Sequence, residues 1–224
     1  MTSGVSRGKL IVLEGGDGVG KTTQLPLLAD MLRARGLIVH TVREPGRTGV
    51  GQTVRTLLLD PASTIAPASE VLLFLAARAQ VVAEVIAPAL DAGEWIVADR
   101  FFVSTYAYQI AGHGLDGGLV RAANRLATRG LVPDVTLLLT LPQVVAAARR
   151  RVRGAADRLE RFGADFDARV AEAYAAAVTE SWQARHPECG PIVAVHGDGA
   201  VDEVTVRLLE RVVERTGTSA VLTA

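Results

Sequence analysis

The chain has 224 residues, enough for one domain with a sizeable hydrophobic core, and its formal net charge is zero. Zero net charge excludes an overall basic field, so we expect no binding to nucleic acid. The single cysteine, Cys189, excludes an internal disulfide; we predict a surface or loop thiol in a reducing cytoplasm. The N-terminus lacks the apolar core of a signal peptide, and Pro133, Asp134 and Pro142 interrupt the apolar stretch at 131–148. We therefore expect no membrane span.

Short apolar runs alternate along the chain with helical patterns, which is typical of a parallel sheet covered by helices on both faces. Strands are predicted at 9–14, 37–43, 95–99, 135–141 and 192–196. Helices are predicted at 21–35, 53–59, 67–92, 104–111, 118–128, 142–153, 166–185 and 201–215. This pattern predicts one α/β domain over 1–224, a three-layer sandwich with a five-stranded parallel sheet and a disordered tail at 216–224. All strands would end at one edge, where open α/β sheets bind ligands.

A glycine-rich loop joins the first predicted strand to the first predicted helix and matches the pattern G-x-x-x-x-G-K-[ST]. Backbone N–H groups and the helix N-terminus of such a loop face phosphate oxygens. Lys21 would neutralise the β- and γ-phosphates, and the Thr22 hydroxyl would hold Mg²⁺. The pattern predicts a P-loop NTPase-like fold. The residues expected to bind ATP are Gly15, Gly16, Asp17, Gly18, Val19, Gly20, Lys21, Thr22 and Thr23.

Two further pairs of residues favour phosphate chemistry at the same edge. Asp99 ends the third predicted strand, where it can bind Mg²⁺ or its waters, and Arg100 can fork onto a phosphate. The alternative for Asp99 and Arg100 is a strand-end salt bridge. Phe74 and Arg78 lie four residues apart on one predicted helix, so they share a face that suits a flat base with a phosphate nearby. A core phenylalanine beside a surface arginine is the alternative there.

An arginine-rich run follows the fourth predicted strand and contains Arg149, Arg150, Arg151, Arg153 and Arg158. With Gly154 for mobility, it predicts a short lid at 149–163 that moves arginine over the transferring phosphoryl group and excludes water. A phosphate monoester acceptor needs charge neutralisation and in-line positioning but no general base. Transfer to a hydroxyl, with Asp17 or Asp99 as the base, stays open.

The chain resembles the thymidylate kinases, a family of nucleoside monophosphate kinases, from Leu10 to about Trp182. The segments that carry this resemblance are EGGDGVGKTT at 14–23, REPG at 43–46, LLLD at 57–60, FLAAR at 74–78, DR at 99–100, STYAYQ at 104–109, PD at 133–134 and DRLE at 157–160. The resemblance implies phosphorylation of dTMP to dTDP with ATP and Mg²⁺, in dTTP biosynthesis, by a homodimer. The apolar helix at 67–92 could supply the dimer interface.

The resemblance also implies residue roles. The acceptor would be held by Asp17 at the sugar 3′-hydroxyl, by Arg43, Arg78 and Arg100 at the phosphate, by Phe74 stacking on thymine, and by Thr105, Tyr108 and Gln109 around base and sugar. Members of the family place a catalytic arginine either in the phosphate loop or in the lid. Because the loop position here is Gly18, the lid arginines would act, as in the bacterial type. The implied catalytic residues are Lys21, Arg100 and, in the lid, Arg153 first, Arg151 second and also Arg158.

Two positions depart from the family pattern: Arg47 stands where glycine is frequent, and Phe101 stands where tyrosine or histidine is usual. These departures leave open a related kinase that acts on dUMP, a modified deoxynucleotide or another small phosphorylated acceptor. A non-catalytic nucleotide-binding regulator is a second alternative. A GTPase is disfavoured, because no lysine follows Lys21 in the chain and a guanine-specifying N/T-K-x-D segment would need one.

Overall fold

The computed structural model describes residues 6–153 and 158–217; within these, the side chains at 150–153, 160 and 161 are outside the description. The strands are β1 (Leu10–Glu14), β2 (Val39–Arg43), β3 (Trp95–Asp99), β4 (Val135–Thr140) and β5 (Ile192–His196). They form one parallel sheet in the order β2-β3-β1-β4-β5. The predicted five-stranded parallel sheet is confirmed.

The helices are α1 (Lys21–Arg33), α2 (Gly49–Leu59), α3 (Pro67–Val81), α4 (Ala87–Asp91), α5 (Phe102–Ser104), α6 (Gly117–Thr128), α7 (Gln143–Arg153), α8 (Ala164–Ala177), α9 (Glu180–Arg185) and α10 (Val201–Thr216). Two π-helical segments, Val82–Ile86 and Thr105–Gly112, continue α3 and α5. Two short 3₁₀ turns, Arg158–Arg161 and Pro187–Cys189, precede α8 and β5. The tail was predicted to be disordered from residue 216, but Thr216 ends α10 and Gly217 caps it; residues from 218 onward lie outside the described part of the chain.

Some helix predictions differ from the structure. The helix predicted at 166–185 is two helices, because Thr179 adopts an extended conformation and its hydroxyl caps α9 by accepting from the Trp182 N–H. The helix predicted to start at 53 begins at Gly49, where the Thr48 hydroxyl accepts from the Gly51 N–H. The segment predicted as an α-helix at 104–111 is mostly π-helical.

The hydrophobic core has two layers, one on each face of the sheet. Along β1, Leu10 and Val12 pack with α4 and α8 on one face, whereas Ile11 and Leu13 pack with α1 and α10 on the other. All four side chains are fully buried, as expected for a strand inside a doubly covered parallel sheet. This confirms the predicted three-layer sandwich.

Cys189 is fully buried in the first of these layers, so the prediction of a surface or loop thiol is wrong. The 3₁₀ turn that it ends turns the side chain inward, and free cysteine packs as a small apolar group. Burial raises the pKa of the Cys189 thiol.

The continuous helical stretch Pro67–Asp91 is, among the described residues, long and apolar enough by composition to cross a membrane. Length and composition are weak evidence, because a core helix of a globular protein meets the same criteria. In this fold Val71, Leu75, Val81 and Ile86 of the stretch are buried against the rest of the protein.

The carboxyl ends of the strands meet at one edge of the sheet. Arg43 at the end of β2 is in register with Asp99 at the end of β3, and Asp99 is in register with Leu13 of β1. The glycine loop leaves β1 at this edge, and Gly197 follows β5 there. The fold therefore gathers at one edge all the strand-end residues that the sequence marks as candidates.

Candidate active site

A cavity of about 890 Å³ lies at this edge, a volume within the usual range of small-molecule binding sites. The predicted residues that line it are Asp17, Gly18, Val19, Gly20, Lys21, Thr22, Thr23, Arg43, Phe74, Asp99, Arg100, Thr105, Tyr108 and Gln109. The phosphate loop and the residues expected to bind the acceptor, which were predicted separately, thus share one cavity. Arg78 and Arg158 are described but do not line it, and the side chains of Arg151 and Arg153 lie outside the description.

The phosphate loop depends on glycine at positions where the backbone turns sharply. Gly15, Gly18 and Gly20 all have positive φ, at 133°, 85° and 108°. A Cβ on Gly15 would lie 2.5 Å from the Leu139 carbonyl oxygen on β4. Gly15 therefore allows the loop to pass close to the neighbouring strand before α1 begins.

Lys21 is the first residue of α1, and its side chain is folded back over the loop. Its ammonium donates to the Gly15 and Gly16 carbonyl oxygens, each at 2.8 Å. Burial, and secondarily the positive charge of Arg100, lowers the pKa of Lys21 to about 8. A buried cation at this point is suited to an incoming polyphosphate, which would replace the carbonyl partners with stronger charge-assisted hydrogen bonds.

Arg100 follows β3 with a φ of 75°, a conformation that non-glycine residues adopt only when the surroundings hold them. Those surroundings centre on Glu14, which is fully buried at the end of β1. The Glu14 carboxylate accepts from the Phe101 and Ser104 N–H groups at 2.8 and 3.0 Å, and from the Ser104 hydroxyl at 2.6 Å. Glu14 thereby fixes the turn that presents Arg100 to the cavity, a role that the sequence analysis did not identify.

The Arg100 guanidinium joins the phosphate loop to the aromatic side of the cavity. It donates to Asp17 Oδ1 at 2.6 Å and to the Ser104 and Tyr174 hydroxyls at 2.9 and 3.1 Å. The Tyr108 hydroxyl donates to Asp17 Oδ2 at 3.1 Å, and burial, reinforced by Asp17, raises the pKa of Tyr108. Protonated Tyr108 and charged Arg100 together hold the Asp17 carboxylate in place on the cavity lining.

Asp99 offers a carboxylate oxygen for a cation. Its side chain is only 3 % exposed, and Oδ1 has no hydrogen-bond partner among the described residues. The other oxygen lies 3.7 Å from Nε of the half-exposed Arg43. The described residues contain no group of three or more Asp, Glu, His or Cys side chains that could hold a metal by themselves. This donor set fits Mg²⁺, which is typically bound by one or two protein oxygens together with substrate phosphates and waters.

Arg78 is placed differently from the prediction, because its guanidinium is buried behind the cavity wall. It donates to Glu44 at 2.6 Å, to the Thr105 hydroxyl and to Asn124 at 2.8 Å each, and to the Phe101 carbonyl oxygen at 2.8 Å. Four of its five N–H groups are therefore engaged with protein, and the arginine braces the wall from behind. Burial, partly offset by Arg78, raises the pKa of Glu44, and Glu44 Oε1 has no hydrogen-bond partner among the described residues.

The two departures from the family pattern both lie away from the cavity lining. The Phe101 side chain is fully buried and packs edge-on against Phe102. Arg47 is exposed, with a φ of 68° that explains why glycine suits this position. Neither side chain lines the space that an acceptor would fill.

The cavity also has lining residues that the sequence analysis did not single out. These are Gln24, Glu44, Pro45, Arg55, Leu59, Ser104, Leu159, Gly197, Gly199, Val201 and Val204, and Arg149 was noted only as part of the lid. Glu44, Pro45, Leu59, Ser104 and Leu159 lie inside the segments that carry the family resemblance, but no individual role was assigned to them. Gly197 to Val204 come from the far C-terminal part of the chain and carry no motif.

The fold and the cavity together define a P-loop kinase: a glycine loop for a donor polyphosphate faces a pocket with arginine and aromatic side chains for a second substrate. The profile of the family described as thymidylate kinase matches residues 13–187. The thymidylate kinase of Chromobacterium violaceum is 43% identical over 215 residues, covering 96% of this chain and 100% of that protein. The thymidylate kinase of Synechococcus sp. (strain RCC307) is 49% identical over 176 residues, covering 75% and 82%.

Among solved structures, the crystal structure of thymidylate kinase from Ehrlichia chaffeensis superposes with a TM-score of 0.70 at 27% identity, covering 92% of this chain and 98% of that one. The chain belongs to the thymidylate kinase family. The resemblance read from the sequence motifs is confirmed.

Proposed function

We propose that the protein transfers the γ-phosphoryl group of ATP to dTMP, giving ADP and dTDP for dTTP synthesis. This is the reaction of the family to which the chain belongs. The observation that carries the proposal is the single cavity, lined both by the loop around Lys21 and by Phe74, Arg100 and Tyr108. A cavity shared in this way allows donor and acceptor phosphates to meet in line, which supplies much of the rate enhancement of phosphoryl transfer.

On the donor side, the loop from Gly15 to Thr23 and the Lys21 ammonium bind the β- and γ-phosphates of ATP. Mg²⁺ is held by the Thr22 hydroxyl and by Asp99 or its bound waters; the buried, unpartnered Asp99 Oδ1 supports this assignment. When bound, the ion neutralises charge on the phosphates. Thr22 is exposed on the first turn of α1, where an incoming phosphate can reach it.

On the acceptor side, Arg100 and Arg43 neutralise the dTMP phosphate, and Phe74 stacks on thymine, with Thr105 and Gln109 beside it. Asp17 accepts from the sugar 3′-hydroxyl. Tyr108, which donates to Asp17, crowds the 2′ position and so favours deoxyribose. Arg78 contributes by bracing the cavity wall from behind, through its hydrogen bonds to Glu44 and Thr105.

The charge that develops on the transferring phosphoryl group is stabilised by lid arginines, with Arg153 as the first candidate and Arg151 as the second. Both lie near the end of α7, which carries Arg149 at the cavity lining. A lid arginine in this position acts as an arginine finger does, and Arg153→Ala would lower turnover by roughly 10³-fold.

Release of ADP by the purified protein, with ATP and Mg²⁺, tests the proposal across dTMP, dUMP, dCMP, dGMP, dAMP and UMP and without an acceptor. Strong turnover on dTMP with weaker turnover on dUMP is expected. A preference for dUMP or for another phosphorylated acceptor would identify that compound as the substrate instead of dTMP. If turnover does not depend on any acceptor, a non-catalytic regulator is favoured.

We also propose a homodimer that uses the outer faces of α3 and α6. The support is a set of exposed leucines on these two adjacent helices, namely Leu72 on α3 and Leu119 and Leu126 on α6, which are 61%, 74% and 82% exposed. Light scattering at micromolar concentration should give twice the chain mass. A monomer at that concentration would contradict the proposal.

Residues 1–224 are proposed to fold as one domain, with the lid at 149–163, and to work in the cytoplasm without nucleic acid or membrane partners. A single cooperative unfolding transition would support the one-domain assignment. The buried free thiol of Cys189 fits a reducing compartment, and recovery of the protein in the soluble cytoplasmic fraction of fractionated cells would test the location.

A further inference from the structure

A cluster around Glu70, outside the cavity, connects three segments of the protein. Glu70 lies in the first turn of α3 and is 1 % exposed. Its Oε2 accepts from Arg158 Nη2 at 2.7 Å, and its Oε1 shares a hydrogen bond with His113 Nε2 at 3.0 Å. Gln109 Nε2 also donates to Oε1, at 3.3 Å. One carboxylate therefore connects α3 both with the π-helical segment and with the 3₁₀ turn Arg158–Arg161.

Arg158 is tied to protein groups at both ends of its guanidinium. Besides the ion pair with Glu70, its Nε donates to the Leu58 carbonyl oxygen at 2.8 Å, near the end of α2. The side chain is 8 % exposed and does not line the cavity. Burial opposes the charged form of Glu70, but the hydrogen bonds from His113 and Arg158 outweigh it and lower the pKa of the carboxyl. Glu70 and Arg158 therefore form a buried ion pair, and neither side chain lines the cavity.

The residues that neighbour or contact this cluster do line the cavity. Gln109 contacts Glu70 directly, Leu159 follows Arg158, and Leu59 follows Leu58. The aromatic contacts extend the connection, since the His113 ring lies 4.7 Å from the Phe162 ring and 4.9 Å from the Phe166 ring. Gln109, Leu159 and Leu59 line the same cavity as Phe74 and Tyr108, which are assigned to the acceptor.

We propose that Glu70 is a positioning residue for dTMP binding. Through Arg158 and Gln109 it fixes the wall of the cavity that contacts dTMP. This rests on the proposed function. It assigns Arg158 to positioning and leaves the charge at the transferring phosphoryl group to other lid arginines. Loss of the ion pair releases the Arg158–Arg161 turn and Gln109 together, so dTMP binding weakens while ATP binding, on the other side of the cavity, is unaffected.

The test is a double-mutant cycle with steady-state kinetics and calorimetric titration of dTMP. Glu70→Gln keeps the side-chain shape and removes the charge, and Arg158→Met keeps the length and removes the fork. Each single variant should raise KM and Kd for dTMP about tenfold or more, with KM for ATP within about twofold. The double variant should be no worse than the worse single variant, because both changes break one connection.

Three results would overturn the proposal. The first is an equal rise of KM for dTMP and KM for ATP. The second is a double variant whose effect on KM for dTMP is the product of the two single effects. The third is a loss of kcat near 10³-fold in Arg158→Met with KM for dTMP unchanged. The last result is expected if Arg158 contacts the transferring phosphoryl group. Glu214→Gln, which breaks the exposed pair with Arg211 on α10, is the matched control and should change neither KM.

If Glu70→Gln fails to fold, the dTMP affinities of Arg158→Lys and Arg158→Met are compared instead. Lysine keeps a cation opposite Glu70 and should recover most of the dTMP affinity that methionine loses, whereas no recovery would overturn the proposal. A wild-type protein without activity on dTMP would refute the proposed function itself. If the wild-type protein is active on dTMP and the Glu70 and Arg158 variants have the same KM and Kd for dTMP as the wild type, only this inference is refuted.

Discussion

Arg100 Nη2 donates to Asp17 Oδ1 at 2.6 Å, which joins the residue after β3 to the acidic residue of the phosphate loop. The two side chains are about one quarter exposed or less, so the pair is partly shielded from water. Arg100 therefore connects the phosphate loop with the aromatic side of the cavity, to which we assign the acceptor. An anionic acceptor phosphate would compete with Asp17 for this guanidinium and free the Asp17 carboxylate for the sugar hydroxyl.

Replacing Arg100 by glutamine should lower kcat/KM for dTMP by about 10²-fold, with little change in KM for ATP. The reason is the loss of a charge-assisted, forked contact to the acceptor phosphate in a partly desolvated site. Initial rates with each substrate varied in turn measure the effect. Arg125→Gln, at an exposed position on α6, is the control. An Arg100→Gln variant with unchanged dTMP kinetics would remove Arg100 from the acceptor site.

Replacing Asp99 by asparagine should raise the Mg²⁺ concentration for half-maximal activity about tenfold, because the neutral amide binds the cation or its waters less strongly. The measurement is turnover against Mg²⁺ at fixed, saturating ATP and dTMP. Asp165→Asn, at an exposed carboxylate in α8, provides the control. If the Mg²⁺ dependence of Asp99→Asn matched that of the wild type, Asp99 would act only as the partner of Arg43.

The pKa of Lys21, lowered to about 8, predicts a pH dependence of ATP binding. Below pH 8 the side chain of the free protein is charged and ready for phosphate, whereas above pH 8 binding must take up a proton. The apparent Kd for a non-hydrolysable ATP analogue should therefore rise by up to about tenfold per pH unit above 8.

Lys21→Arg is the matched variant for this titration, since arginine stays protonated throughout the range. Its Kd, measured calorimetrically from pH 7 to 9.5, should stay nearly constant even if its affinity is lower overall. A wild-type Kd that is equally flat would show that the charge of Lys21 does not contribute to phosphate binding.

Gly15→Ala and Gly16→Ala form a matched pair on neighbouring loop positions. Gly15 has a φ of 133° and its added Cβ would meet the Leu139 carbonyl oxygen, whereas a Cβ on Gly16 meets nothing within 4 Å. Gly15→Ala should lower the free energy of unfolding by about 3 kcal/mol, and Gly16→Ala by less than about 0.5 kcal/mol. Urea unfolding monitored by circular dichroism compares them. Equal destabilisation would mean that the close approach to β4 is relieved by loop movement.

The strands and the phosphate loop could be predicted from the sequence because their signals are local. The run from Leu10 to Leu13 is continuously apolar, and the loop pattern follows it directly. The burial of Arg78 could not be predicted in the same way, because its partners Glu44 and Asn124 lie 34 and 46 residues away in the chain. Helical spacing placed Arg78 on the face of Phe74 but gave no information about what covers it.

The partners of Arg158 could not be predicted for a related reason. Its place in an arginine-rich run indicated a mobile lid residue, whereas its ion pair with Glu70 connects positions 88 residues apart. The break between α8 and α9 was missed because the apolar pattern continues across Thr179, and only the capping geometry ends one helix and starts the next.

The proposed function requires the γ-phosphoryl group to pass directly from ATP to dTMP within the shared cavity. The most direct measurement incubates the protein with ATP labelled in the γ-phosphate, dTMP and Mg²⁺, and follows the label among dTDP, inorganic phosphate and ATP. With direct transfer, label enters dTDP in a one-to-one ratio with ADP release, and little inorganic phosphate forms. Label that appears mainly in inorganic phosphate, or that stays in ATP, would contradict it.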